Sequence, residues 1–259
     1  MLKLNEGLHE YTYSLPEGNI YFKCDYKKES GEIIVFLHGL GCSSDIYRNI
    51  YDKDYFPGKS LLFIDFLGFG KSDKPENFSY TMQAQADTIE KLLNDLPNIS
   101  IHIAAHSMGG AIALLLSENF FKRVISFANM EGNLIDSDCG ILSRGIANSD
   151  YDEYKNIIFP KQKLEFENHV QLRFNESNAN AIYKSSKSLV KYSDSGELLA
   201  KFKSLACKKC YFWGQGNFAM PVRKQLKPIP EIMVPKSGHG MMNDNPDSFY
   251  TLLSGFIAG

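Results

Sequence analysis

The chain has little net charge and no long hydrophobic segment. Its 259 residues include 28 basic and 30 acidic side chains, which leaves a formal net charge of −2. No basic patch or block of like charge indicates nucleic acid as a partner. No apolar run approaches the roughly 20 residues that cross a bilayer, and residues 1–6 lack the apolar core of a signal peptide. We therefore expect a cytoplasmic protein without membrane insertion.

Cysteine is also scarce, and its five copies form an odd number, which argues against a disulfide framework. Cys207 and Cys210 make a C-x-x-C pair, but no second pair and no nearby histidine accompany them. We expect neither a metal site nor a redox motif there. Apolar residues make up 44% of the sequence, which is enough for one large core in a single domain of this length.

The most informative motif is AHSMGG at residues 105–110, which lies between two apolar runs. A strand, a tight turn and a helix form the context of a nucleophile elbow, usually written G-x-S-x-G. Small residues two before and two after the serine let the backbone turn sharply. Ala105 replaces the first glycine, and its single methyl group keeps the turn feasible. The motif predicts that Ser107 is a nucleophile above a helix N-terminus.

A second motif, HGLG at residues 38–41, follows the apolar strand pattern of residues 33–37. A glycine-rich turn after a strand can present a backbone N–H to a developing oxyanion. The second donor would be the N–H of the residue after the nucleophile. We therefore predict an oxyanion hole formed by the N–H groups of Leu40 and Met108.

The third motif is SGHG at residues 237–240, which precedes an amphipathic helix at the C-terminus. A histidine on such a loop can reach Ser107 and act as its general base, so we predict this role for His239. Other residues of the motifs are expected to contact the substrate: His38, Gly39, Gly41 and His106.

Together with DFLGFGKS at residues 65–72, these motifs resemble those of the α/β-hydrolase family, and they span nearly the whole chain. The resemblance implies a mostly parallel, eight-stranded α/β sheet with helices on both faces. It also implies a Ser–acid–His triad that acts on a small molecule with no cofactor and no metal. A monomer or a homodimer fits this expectation.

The strand pattern stops between residues 134 and 200, where the sequence becomes polar and helical. We expect residues 134–200 to form a helical cap over Ser107, because caps in this family shape the substrate pocket. Residues 1–133 and 201–259 would then form the hydrolase core.

The triad acid is not at its usual place. In most members of the family it follows the seventh strand, where this sequence has Asn217, and an amide cannot stabilise an imidazolium as a carboxylate does. One group of haloalkane dehalogenases instead has a glutamate after the sixth strand, and Glu131 stands there. We predict Glu131 as the acid. Asp136, Asp244 and a dyad without an acid, in which Asn217 only orients its loop, remain open.

These residues predict a serine hydrolase that cleaves a small or medium carboxylic ester through an acyl-enzyme on Ser107. A carbon–carbon bond hydrolase, a thioesterase, an amidase or an acylglycerol lipase would use the same triad. A serine nucleophile argues against dehalogenase and epoxide hydrolase chemistry, because those reactions need a carboxylate nucleophile. A non-catalytic ligand-binding protein of this fold is the alternative of another class, since Asn217 could mark a lost acid.

Overall fold

The computed structural model describes residues 2–97 and 99–259, apart from the side chain of Ile141. One eight-stranded sheet forms its centre, with the order β1-β2-β4-β3-β5-β6-β7-β8. The strands are β1 (Gly7–Leu15), β2 (Gly18–Tyr26), β3 (Glu32–Leu37), β4 (Ser60–Ile64), β5 (Ser100–His106), β6 (Val124–Met130), β7 (Lys208–Gly214) and β8 (Glu231–Val234). Strand β2 pairs antiparallel with β1 and β4, and all the other pairs are parallel. The predicted fold class is confirmed.

Helices cover both faces of the sheet. The α-helices are α1 (Met82–Asn94), α2 (Met108–Leu114), α3 (Glu118–Phe121), α4 (Gly140–Asn148), α5 (Tyr151–Glu153), α6 (Phe159–Glu165), α7 (Ala179–Ser195), α8 (Glu197–Ser204), α9 (Met241–Asp244) and α10 (Pro246–Ala258). Short 3₁₀ turns run over Ser44–Asp52, Asp136–Cys139, Phe174–Glu176, Gln215–Asn217 and Pro221–Gln225, and a π turn runs over Tyr154–Ile158. Within the described residues, no helix combines the length and the apolar character needed to span a membrane.

The core has two layers because the central strands are buried on both faces. Ile33, Val35 and Leu37 of β3 belong to one apolar cluster, which includes residues of α1, α2, α7 and α8. Ile34 and Phe36 belong to the other, which includes residues of α9 and α10. Continuous apolar runs of this kind are typical of parallel strands covered by helices. The carboxyl ends of β3, β5, β6 and β7 therefore meet at one edge of the sheet.

The segment between β6 and β7 contains α4 to α8 and no strand among its described residues. The chain turns sharply at Gly196, whose φ of +73° is in the left-handed region that favours glycine. Helix α8 begins just after this turn, and its Phe202 packs edge-on against Phe127 of β6 with ring centroids 5.6 Å apart. Residue 200, the expected boundary, therefore lies inside a helix that packs on the sheet.

Three buried histidines make the stability of this fold depend on pH. His38, His102 and His106 are each at most 2% exposed, and burial lowers the pKa of each one. Histidine in an unfolded chain titrates near about pH 6.5, so below that pH the unfolded state binds protons that the folded state does not. Each histidine then removes up to about 1.4 kcal/mol of unfolding free energy per pH unit as the pH falls. Burial raises the pKa of Asp138 to about 6, which offsets part of this loss toward the acidic end.

We expect the urea midpoint of unfolding to fall as the pH is lowered from about 7 to about 5. The variant His102→Gln removes one of the titrating groups, so its midpoint should fall less steeply than that of the wild type. The variant His9→Gln, at an exposed position on β1, should keep the wild-type slope. A midpoint that does not change with pH, or identical slopes for all three proteins, would contradict this origin of the pH dependence.

Candidate active site

Ser107 occupies a strained turn between β5 and α2. Its φ of +53° and ψ of −122° lie outside the regions that non-glycine residues normally adopt. The Ser107 N–H donates to the carbonyl of Met130 at 3.1 Å, and the Gly110 N–H donates to the carbonyl of Ser107 at 2.9 Å. The turn is therefore held between the end of β6 and the first turn of α2, as a nucleophile elbow requires.

The glycines of the elbow allow three chain segments to approach closely. A Cβ on Gly109 would lie 2.7 Å from the carbonyl oxygens of Leu37 and His38. A Cβ on Gly110 would lie 2.8 Å from the Cα of Gly132. Only hydrogen fits at either position, so the first turn of α2 packs directly against the ends of β3 and β6. This packing brings the HGLG loop and Glu131 to the elbow.

Glu131 follows β6 and is 2% exposed. Its Oε2 accepts a hydrogen bond from His239 Nδ1 at 2.7 Å. Its Oε1 accepts from the N–H of Gly214 at 2.8 Å, and Asn217 Nδ2 lies 3.0 and 2.9 Å from the two oxygens. The carboxylate is thus surrounded by hydrogen-bond donors. One of them is His239, the residue that the sequence analysis predicts as general base.

Opposing effects set the protonation of Glu131. Burial raises the pKa of this carboxyl, but the hydrogen bond and charge of His239 lower it, as do the hydrogen bonds from Asn217 and Gly214. The lowering effects win, so the pKa of Glu131 lies below its ordinary value and the group is ionised at neutral pH. An ionised carboxylate accepts only, so His239 holds its proton on Nδ1 and leaves Nε2 free to accept another.

Neither reserve acid contacts His239. The Oδ2 of Asp244 accepts from the N–H of Gly238 at 2.8 Å, and Oδ1 of Asp136 accepts from the N–H of Ser137 at 2.7 Å. Asn217 sits at the end of the 3₁₀ turn after β7 and donates to Glu131, a contact that the sequence analysis missed. The combination of a glutamate after β6 with an amide at the usual acid position is the signal that could have revealed it.

The two N–H groups predicted to bind an oxyanion are available. Among residues 2–97 and 99–259, no atom accepts a hydrogen bond from the N–H of Leu40 or Met108. The loop also lies close to the nucleophile, because a Cβ on Gly39 would be 3.1 Å from the Cβ of Ser107. Both donors thus flank Ser107, one in the loop after β3 and one at the start of α2.

Two of the four residues expected to contact substrate lie outside the cavity beside Ser107. His38 is fully buried; its Nδ1 donates to the carbonyl of Gly39 at 2.8 Å, and its Nε2 accepts from the N–H of Phe66 at 3.2 Å. Gly41 has a φ of +68°, and a Cβ there would overlap the ring of Phe174. Neither residue lines the cavity, and both instead shape the loop after β3. Gly39 does line the cavity.

His106 lines the cavity and supports the His239 loop. Burial holds the pKa of His106 well below its ordinary value, with the neighbouring His239 adding to the effect. The ring is therefore neutral, and its Nε2 donates to the carbonyl oxygen of His239 at 2.9 Å. The two imidazole rings lie 4.5 Å apart at their centroids. His106 therefore holds the backbone of His239 and also lines the cavity.

The cavity has a volume of about 340 Å³. Ser107, His239 and Leu40 line it. The segment between β6 and β7 supplies many of the other lining residues, among them Asp138, Leu142, Ser143, Gln171 and Leu189. Gln171 packs so tightly over the histidine loop that a Cβ on Gly240 would coincide with its side-chain amide. The sequence analysis located this segment but none of these individual contacts.

Comparisons with known proteins agree with this architecture. The family model of the alpha/beta hydrolase fold matches residues 32–209, so the chain belongs to the α/β-hydrolase family. It is 40% identical over 124 residues to the probable lysophospholipase BODYGUARD 4 of Arabidopsis thaliana. This match covers 42% of the present chain and 29% of the lysophospholipase. It is 35% identical over 139 residues to Lipase 1 of Psychrobacter immobilis. This match covers 53% of the present chain and 41% of the lipase.

The matched regions thus span less than half the length of these two relatives. Among solved structures, the fold is similar to that of a thermophilic esterase from Thermogutta terrifontis, with a TM-score of 0.71 and 16% identity. That match covers 97% of this chain and 98% of the esterase.

The close packing at the elbow predicts that an alanine substitution destabilises the protein at Gly110 but not at Gly255. Gly110→Ala should destabilise the protein by about 1–3 kcal/mol, because its methyl group meets the backbone of Gly132. The control is Gly255→Ala on α10, where a Cβ meets nothing within 4 Å and the helix gains about 0.5–1 kcal/mol. Thermal unfolding measures both changes. A melting temperature for Gly110→Ala at or above that of the wild type would contradict the packing.

Proposed function

We propose that this protein is a serine hydrolase that cleaves carboxylic esters through an acyl-enzyme on Ser107. The observation that carries the proposal is the 2.7 Å hydrogen bond between His239 Nδ1 and a buried, ionised Glu131, beside a cavity that Ser107 also lines. Carboxylate, imidazole and strained serine are the parts of a Ser–His–acid triad. The names of the relatives, lipase and lysophospholipase, support an ester as the bond.

In the proposed reaction, Ser107 Oγ attacks the ester carbonyl while His239 Nε2 takes the hydroxyl proton. The N–H groups of Leu40 and Met108 stabilise the oxyanion, and Glu131 stabilises the imidazolium. His239 then returns the proton to the leaving alcohol, and the acyl-enzyme forms. Water attacks this intermediate with His239 again as base, which releases the carboxylic acid and restores Ser107.

The cavity volume of about 340 Å³ lies at the small end of ligand sites, which run from about 300 to 1,000 Å³. This supports a small or medium ester as substrate. We assign residues 134–200 the role of a cap, since they contribute many of the residues that line the cavity beside Ser107. Asn217 supports catalysis over a non-catalytic binding role, because it donates to Glu131 instead of marking a lost acid.

Removing the acid tests the triad. Glu131→Gln should lower kcat for p-nitrophenyl esters by about 10³–10⁴-fold. The Gly214 N–H and Asn217 would hold the Gln oxygen, so the Gln amide would donate to His239 Nδ1 and impose the wrong tautomer. The matched controls Asp136→Asn and Asp244→Asn should stay within about tenfold of wild type.

Ser107→Ala should abolish both turnover and labelling by a fluorophosphonate, a reagent that attacks activated serines. Near-full activity in Glu131→Gln would overturn the assignment of the acid. Labelling of Ser107→Ala to the same extent as wild type would overturn the assignment of the nucleophile.

Asn217→Ala should lower activity by about 10–100-fold, as is usual for a group that orients a functional side chain. In the wild type, the hydrogen bonds from Asn217 lower the pKa of Glu131. The variant lacks these bonds, so the pKa of Glu131 should rise. The acid limb of kcat/KM should therefore move to higher pH. The control is Gln215→Ala in the same turn, whose Oε1 accepts from the N–H of Lys236. An unshifted pH profile with wild-type activity would contradict this role for Asn217.

A further inference from the structure

Two residues that line the cavity beside Ser107 carry buried oxygen atoms that have no hydrogen-bond partner among the described residues. Asn133 is 2% exposed and lines the cavity. Its Nδ2 donates to the carbonyl of Asp138 at 2.8 Å, which fixes the orientation of the amide. Among the residues that the structure describes, none donates to its buried Oδ1. This oxygen is therefore an acceptor with an unmet hydrogen bond.

Asp138 supplies the second acceptor. Its Oδ2 accepts from the N–H groups of Leu134 and Ile135 at 2.9 and 3.0 Å. Its Oδ1 is buried and has no partner within the described parts of the chain. Asp138 also lines the cavity, and the two backbone donors fix the orientation of its carboxylate.

Asp138 has acidic neighbours and no cationic partner among the described residues. Burial raises the pKa of this carboxyl to about 6, and the carboxylates of Glu131 and Asp136 contribute in the same direction. No lysine, arginine or histidine of the described residues forms an ion pair with it. A buried acceptor without a donor is unfavourable, so a ligand that supplies a donor removes this cost when it binds.

From these contacts we infer that Asn133 and Asp138 form a substrate subsite that binds a hydrogen-bond donor of the substrate. The donor is a hydroxyl group or a protonated amine, carried by an ester of modest size. This inference rests on the proposed ester hydrolysis, and it names the substrate class: esters of polyols or amino alcohols, or esters of hydroxy acids. An ester with only alkyl groups there leaves both oxygens unpaired. Specificity arises because a site built from acceptors rejects analogues that lack the donor.

Matched esters test the subsite. On the alcohol side, glycerol monobutyrate and 3-(dimethylamino)propyl butyrate are compared with propyl butyrate; on the acyl side, ethyl 3-hydroxybutyrate is compared with ethyl butyrate. We expect kcat/KM to favour a donor-bearing ester over its alkyl match by about tenfold or more, equal to one recovered hydrogen bond. The side that shows the preference identifies the group that the subsite holds, and the two alcohols separate hydroxyl from ammonium.

Asp138→Asn is the key variant. The Leu134 and Ile135 N–H groups would keep the Asn oxygen, so an NH₂ group would replace Oδ1 and turn an acceptor into a donor of the same shape. The ratio of kcat/KM for a donor-bearing ester to that for its alkyl match should therefore fall to about one. The control Asp136→Asn, at an exposed neighbour, should keep the preference.

A binding measurement separates this inference from the proposed function. The Ser107→Ala protein is titrated calorimetrically with 1-O-butylglycerol and with butyl propyl ether, neither of which can be hydrolysed. Tighter binding of the glycerol ether supports the subsite even if no ester is cleaved. Hydrolysis of esters with no preference in either pair, or a preference unchanged in Asp138→Asn, would overturn the subsite and leave the hydrolase intact.

Discussion

The hydrogen bond between Glu131 and His239 is the interaction on which the rest of the site depends. It joins the end of β6 to a loop 108 residues later in the chain. Glu131 is buried, and an unpaired carboxylate there would lower the stability of the fold. Gly214 and Asn217 supply the additional donors that make a buried charge tolerable. The carboxylate then determines which nitrogen of His239 carries the proton. The chemistry proposed for Ser107 requires that choice.

Backbone strain at the site is supported by close packing. Ser107 and Glu131 both have positive φ, at 53° and 46°, and each such residue costs of the order of 1–3 kcal/mol. They follow adjacent parallel strands, and Gly110 packs against Gly132 between them. The absence of side chains at these two glycines allows the turns to approach, so Ser107 and Glu131 are positioned by one compact junction at the edge of the sheet.

The sequence was sufficient for the fold because its signals are local. The apolar strand runs, the small residues around Ser107 and the turn glycines each act within a few residues, and the structure follows them. Glu131 could be predicted because Asn217 was conspicuous at the usual position of the acid. The donation from Asn217 to Glu131 joins residues 86 positions apart, and only the combination of these two residue types indicates it in the sequence. His38 is in a motif that faces the site, yet its ring turns beneath the loop to bond Phe66. Such side-chain directions depend on long-range packing.

Nitrogen and proton NMR of His239, with its imidazole labelled by ¹⁵N, tests the central claim most directly. The Glu131 contact predicts that the neutral ring carries its proton on Nδ1 and leaves Nε2 bare. It also predicts that Glu131→Gln shifts the proton to Nε2, while Asp244→Asn leaves it on Nδ1. A wild-type ring that already carries its proton on Nε2, or a tautomer unaffected by Glu131→Gln, would contradict the assignment of Glu131 as the acid that orients His239.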